Sequence, residues 1–398
     1  MRVRKILAFC LCVNMLVSLF SGMECFADEI GLVCKAEVAP FAIFERSEGV
    51  NYEVSVNDGT YTVTDYFETT VRSGDFSGGN IHIEGLPLGR FILSVTSDTN
   101  TISSPFAVVP DIEERRDSSE CDFSFSAMAS HNYSSGDAEA AYAKTVKLAG
   151  VSYVREFCNG DEIKDESSQG GRRYRILLDE YAKNDIRVML MMQRFPGGDK
   201  DTRMGYEDGH WLTRDMKKLY DNIVYLFRQH RGLIDAFEIE NEIDVWGAGH
   251  YDGPDLYAAF LKTAAIAADS CDEDVLISTA GFSAKSAPIN SGYINRVLSN
   301  GTAEYFDIYD LHHYQGQQGD LKISVYPSEL DDYLPHTLEN GITSKKLWLS
   351  EYGLALKYAD GGYALSEEQQ KLQARTAPTA FVQAQSAGVD KTFWFMHG

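Results

Sequence analysis

The chain has 398 residues, of which 36 are Lys or Arg and 59 Asp or Glu, for a formal net charge of −23. That acidic excess argues against nucleic acid and anionic membrane surfaces as partners, since both need Lys/Arg-rich faces. A hydrophobic fraction of 44% suits a globular protein with a sizeable core, long enough for two domains.

Met1–Lys5 is basic, Ile6–Phe20 is apolar, and Cys25-Phe26-Ala27 places small residues just before Asp28. This pattern predicts a secretory signal over residues 1–27, hence export. The apolar run is too short to span a membrane comfortably, and no later stretch approaches eighteen apolar residues. Cys10, Cys12 and Cys25 leave with that segment. The remaining Cys34, Cys121, Cys158 and Cys271 lack metal-ligand spacing, and buried free thiols are favoured over one or two bridges.

From about residue 30 to 109 the chain reads as short alternating strands: "NYEVSVNDGTYTVTDYF", "GNIHIEG", "GRFILSVTS". Asn57-Asp58-Gly59 predicts a hairpin turn, and Gly85-Leu86-Pro87-Leu88-Gly89 punctuates the next pair. The expectation is a small antiparallel β-sandwich. Residues 110–121, "PDIEERRDSSE" and Cys121, form a charged linker.

Beyond it, strand and helix alternate. Strand candidates are "DFSFSAMAS", "SYVREF", "IRVMLMM", "AFEIEN", "VLISTAG", "FDIYDLHHY", "KLWLSEYG" and "KTFWFM", with seven amphipathic helical stretches between them. Such a series implies parallel strands with helical crossovers and predicts a (β/α)8 TIM barrel over residues 122–398. A doubly wound sheet would want a Gly-rich phosphate loop after its first strand, which "MASHNYSSGD" does not offer. The eighth strand reaches Gly398 without an eighth helix, so the natural chain is expected to continue.

Barrel active sites lie at the C-terminal strand ends. The polar residues there are His131; Arg155 and Glu156; Gln193; Asn241 and Glu242; His312, His313 and Tyr314; Glu351 and Tyr352. Trp246 follows strand four, as a loop anchor or an aromatic platform, and Trp394 lies on strand eight. Trp348, three positions before Glu351, is expected to face the helices as core. Adjacent His312 and His313 cannot both point inward from a strand. Glu238, Glu240 and Glu242 alternate in "FEIENEIDVW", a costly arrangement unless the carboxylates are paired or used. Glu242 and Glu351 end strands three units apart. Either alone reads as a loop salt bridge, whereas a pair across a barrel mouth suits glycoside hydrolysis.

"ENE" on strand four and "LWLSEYG" on strand seven resemble the signatures of clan A (4/7 superfamily) retaining glycoside hydrolases, such as families 39, 5 and 51. "HHY" on strand six resembles that clan's His-x-Tyr. The resemblance runs over the whole barrel and implies a glycosidase acting on an oligo- or polysaccharide by double displacement, with no cofactor and no metal. It implies Glu242 as general acid/base, Glu351 as nucleophile, Asn241 on the sugar 2-hydroxyl and Arg155 and Tyr314 beside the nucleophile. His312 would help near the acid or the ring, and Trp394 would be the platform under the sugar. His131 and Trp246 are further candidate substrate contacts. Glu240 departs from the pattern, where an apolar, aromatic or small residue is usual. A carbohydrate-binding protein on a decayed barrel is the competing reading, and a wholly structural surface protein a third.

Overall fold

A computed structural model of the chain describes residues 32–34, 42–98, 100–114, 123–127, 129, 136–159, 163, 167–193, 212–245, 252–271, 274–283, 290–315, 342, 344–354, 356 and 365–395. The expected signal segment, most of the linker, His131, Trp246 and the helix expected near residues 330–340 lie outside them.

Eight strands precede the barrel: β1 (Leu32–Cys34), β2 (Ile43–Glu45), β3 (Val50–Val54), β4 (Asp58–Asp65), β5 (Thr70–Ser77), β6 (Asn80–Ile83), β7 (Gly89–Ser97) and β8 (Asn100–Val109). They pair in the order β1-β3-β6-β5-β4-β7-β8-β2, antiparallel except for β2 with β8. The sheet is sandwich-like, its inward rings Phe44, Tyr52, Phe91 and Phe106 meeting at centroid distances of 5.3–6.1 Å. Asn57-Asp58-Gly59 does not make the expected hairpin: it joins β3 to β4, which pair with other strands. Gly59 instead lies inside β4, where a Cβ would stand 2.4 Å from the Thr96 carbonyl oxygen and 2.7 Å from the Phe76 ring. The glycine serves close strand approach, not turn geometry.

The barrel strands are β9 (Phe123–Ala127), β10 (Tyr153–Asn159), β11 (Arg187–Gln193), β12 (Ala236–Ile239), β13 (Leu276–Ser278), β14 (Ile308–Gln315), β15 (Lys346–Leu354) and β16 (Lys391–Phe395). All pair in parallel and close, β16 against β9. The described helices are α1 (Gly136–Leu148), α2 (Gln169–Lys183), α3 (Met216–Gln229), α4 (Pro254–Asp269), α5 (Asn290–Ser299) and α6 (Glu367–Ser386). On α2, buried Tyr174, Leu177, Leu178 and Tyr181 form one apolar stripe, and Ser168 caps the start by accepting from Gly171 N at 2.9 Å. Ser366 and Gln369 close a capping box on α6. Among the described residues, no helix is long and apolar enough to cross a membrane.

Strand alternation sends Val154, Val188, Phe237 and Leu349 outward into the helix layer, where Ile43, Ala107 and Val109 of the first sheet join the same core. The inward residues Tyr153, Met189, Ala236, Ile308, Trp348 and Phe393 make a separate apolar floor inside the barrel. Trp348 therefore faces the interior, not the helices, its ring 5.5 Å from Tyr153 and 5.6 Å from Phe393. The cause is a β-bulge. Leu349 pairs with Leu311 and Glu351 with His312, leaving Ser350 as an extra residue that resets the alternation.

Candidate active site

Above the floor, the same strands carry polar side chains. Arg155, fully buried, sits two residues above Tyr153 on β10. Its Nε and Nη2 donate to the two carboxylate oxygens of Glu238, the latter at 2.9 Å. Nη2 also donates to Asn241 Oδ1 at 2.7 Å, and Nη1 to Glu351 Oε1 at 2.6 Å and Ser126 Oγ at 3.2 Å. One guanidinium thus fixes the ends of β12 and β15 relative to each other. Its planar fork suits this multiple engagement.

The end of β12 is conformationally unusual. Glu240 and Glu242 take left-handed backbone, with φ of 68° and 45°. Non-glycine residues adopt this only where surrounding structure enforces it. Here Glu240 N donates to Met192 O at 3.0 Å and Glu242 N to Ala280 O at 2.8 Å. The twist breaks the alternation that would put three carboxylates on one face. Glu238 points into the barrel and pairs with Arg155. Glu240 is also buried. Glu242 returns to the mouth and keeps 25% of its side chain exposed, against 7% for Glu351.

His312 joins the two mouth carboxylates. Its Nδ1 lies 2.9 Å from Glu242 Oε1 and 3.5 Å from Glu351 Oε2, and its Nε2 lies 3.0 Å from Ser350 Oγ. Facing atoms of Glu242, His312 and Glu351 all fall within 4.8 Å of one another. Tyr314 donates its hydroxyl to Glu351 Oε2 at 2.5 Å. Burial works against a charged imidazole, but the Glu351 and Glu242 carboxylates outweigh it and hold His312 protonated up to about 9. Burial likewise opposes ionisation of Glu351, and the His312 and Arg155 charges overcome it, so its carboxyl titrates below the ordinary range. Burial and the Glu351 charge push the Tyr314 phenol far up, which keeps it a donor.

The set Glu238, Asp310 and His312, and the set Glu242, His312 and Glu351, have the spacing of metal ligands. Arg155 donates to both Glu238 oxygens, and Arg155 and Tyr314 donate to those of Glu351. The arrangement is one of charge-assisted hydrogen bonds: an ionised carboxylate deep in the mouth faces a more exposed one across a shared imidazole.

Arg155, Asn241, Glu242, His312, Tyr314 and Glu351 are brought together. Trp394 is not. On β16 the residues Phe393 and Phe395 point inward, so Trp394 points outward, 1% exposed, against Phe381 of α6 at 6.0 Å and Tyr352 at 5.9 Å. It cannot lie under a sugar in the mouth. Phe395 is the ring on that side, 5.8 Å from Tyr314. His313 turns away from the mouth and stacks on Tyr352 at 5.8 Å. Sequence reasoning passed over Ser126, Asp310 and Ser350, and also Gly281, with φ of +50°, where a Cβ would stand 2.1 Å from His312 Nε2. It also missed Asp244, nearly buried, which accepts from Ser283 N at 3.1 Å and is pushed up by that burial to about 7.

No family model matches the chain, and no curated protein sequence matches it. Among solved structures, a family 39 glycoside hydrolase from the gut symbiont Bacteroides cellulosilyticus WH2 superimposes with a TM-score of 0.66 at 17% identity, over 92% of this chain and 75% of that one. An FMN-binding beta-glucuronidase from Faecalibacterium prausnitzii L2-6 aligns at 13% identity with a TM-score of 0.46, over 92% of this chain and 54% of that one. A glucosidase from Croceicoccus marinus aligns at 15% identity with a TM-score of 0.46, over 62% of this chain and 53% of that one. The first likeness establishes the shared fold, and the other two add nothing to it.

Proposed function

We propose that this protein is an exported glycosidase that cleaves O-glycosidic bonds of a glycan with retention, through a covalent glycosyl-enzyme intermediate. The observation that carries the reading is the Glu242–His312–Glu351 cluster, whose facing oxygens lie within 4.8 Å. Carboxyl groups about 5–5.5 Å apart suit direct attack by one of them, whereas inverting enzymes leave about 6.5–9.5 Å for a water.

In this reading Glu351 is the nucleophile. Arg155, Tyr314 and the imidazolium of His312 keep it ionised and fix both its oxygens, leaving rotation little freedom. Glu242, more open to solvent, protonates the leaving oxygen and later activates the incoming water. Asn241, held by Arg155, offers its amide N–H to the sugar 2-hydroxyl. The basic-then-apolar N-terminal segment supports export.

The test is a panel of aryl glycosides to find the sugar that is cleaved, followed by its 2-fluoro derivative. The expected outcome is stoichiometric inactivation with the label on the peptide containing Glu351. A label on Glu242, or a first-formed product of inverted configuration, would sink the mechanism.

A further inference from the structure

Asp310 lies on β14 two residues before His312 and on the same inward face. It is completely buried in the barrel, although neither the floor nor the sugar-facing groups account for it. It accepts from the backbone N–H of Ser350 at 3.0 Å and from the Ser278 hydroxyl at 3.4 Å. Ser350 is the bulged residue of β15, the extra position between Leu349 and Glu351. Its hydroxyl stands 3.0 Å from His312 Nε2. These contacts form one chain: Asp310 pins the bulge, the bulge presents the Ser350 hydroxyl, and that hydroxyl takes the far nitrogen of His312. The near nitrogen is then left aimed at Glu242 Oε1, 2.9 Å away. Gly281 keeps the remaining side of the ring clear, since any side chain there would collide with Nε2.

We propose that Asp310, acting through Ser350, is a positioning residue that fixes the plane and protonation of His312 and so places the Glu242 carboxyl for proton donation to the leaving oxygen. The inference rests on the reading of Glu242 as acid/base. The Ser350 hydroxyl, on the residue whose backbone N–H Asp310 holds, accepts from Nε2–H and leaves Nδ1–H to donate to Glu242. On a regular strand Glu351, three positions after the inward Trp348, would face the helices, and the extra residue keeps Ser350 and Glu351 together on the mouth side. No bond is made or broken by Asp310 itself. When ionised, Asp310 adds to the acidic groups that face the imidazolium: Glu238 at 3.9 Å, Glu242 and Asp244 from the end of β12, and Glu351 from β15. Arg155 from β10 opposes them.

A purely structural Asp310 would fasten β14 to β15 and nothing more, and two measurements on Asp310→Asn and Ser350→Ala in the full chain separate the roles. The first compares kcat/KM for aryl glycosides of poor and highly activated leaving groups. The poor leaving group needs the acid and should lose about 10-fold or more in either variant, while the dinitrophenyl glycoside should stay within about 2-fold. The second is a 15N-histidine NMR titration. The His312 signals should show two protonated nitrogens near neutrality in the wild type, and in both variants should titrate at lower pH with Nε2 shifted. Equal losses for both leaving groups, or His312 signals unmoved in both variants, would overturn the proposal. A wild type inert towards every glycoside would remove the glycosidase reading, and with it the catalytic half of this one. The titration alone then decides whether Asp310 acts on His312.

Discussion

The floor and the mouth of the barrel are built by the same strands a few residues apart, yet they obey opposite rules. β10 contributes Tyr153 below and Arg155 above, β12 Ala236 and Glu238, β14 Ile308 and then Asp310 and His312, and β15 Trp348 and then Ser350 and Glu351. The floor gains from filling space with rings at 5.5–5.9 Å and non-polar side chains. The mouth buries charges, each of which is costly unless a partner meets it. Two left-handed glutamates, a bulge and a crowded glycine all lie in the upper layer. The difference implies that stability is concentrated below and that the upper layer is held in place for chemistry.

Glu351→Gly breaks the comparison from above. Turnover of an aryl glycoside should fall by about 10⁴-fold or more, and azide, entering as an external nucleophile, should restore part of it. Thermal stability should change far less than activity. Activity that survives the substitution would make the upper layer structural after all. Trp348→Ala breaks it from below. Removing that ring from a packed floor should cost about 3–5 kcal/mol in denaturant unfolding. The folded fraction should keep its kcat, because no mouth residue rests on the indole alone. A large loss of kcat at full folding would show that floor and mouth are one unit.

How far these layers could be read from sequence varies by element. The β/α alternation announced the barrel because strands alternate with helical stretches whose apolar residues recur at a 3.6-residue period, as on α2 and α3. Strand-end position singled out Arg155, Asn241, Glu242, His312, Tyr314 and Glu351, all of which meet in one mouth. Parity arguments failed where the backbone leaves period two. The bulge at Ser350 turned Trp348 inward, and the left-handed residues after Ile239 separated Glu240 from its neighbours. Trp394 failed for a different reason: inward Phe393 and Phe395 on a regular strand leave it outside. Asp310 did leave a signal, an acid two positions from His312 within the apolar run "FDIYDLHHY". Its partner Ser350 did not, because cross-strand pairing depends on register.

Titration separates the layers with the smallest perturbation. Of the floor residues, Met189, Ala236, Ile308, Trp348 and Phe393 carry no titrating group and burial pushes the Tyr153 phenol far up, whereas the mouth holds several groups that titrate in the accessible range. Folding raises His312 from its ordinary 6.5 to about 9, because the carboxylates around it outweigh burial. The folded protein therefore keeps a proton that the unfolded chain releases, and the stabilisation is complete below about 6.5 and lost as pH climbs through about 9. Its size is at most about 3 kcal/mol. Asp244 and Asp310, raised by burial from 3.8 to about 7, act in the same direction in a lower window, their contribution fading as pH rises from about 4 through 7. Glu351, held below 4.5, acts oppositely, contributing above its ordinary value and losing that contribution on acidification. Tm measured from pH 6 to 10 should thus fall for the wild type between about 6.5 and 9 and level off above that. Trp348→Ala should trace a parallel curve displaced downward, since its defect does not titrate. His312→Asn should lose the decline between about 6.5 and 9, and a decline that persists in this variant would place the titrating group elsewhere than between Glu242 and Glu351.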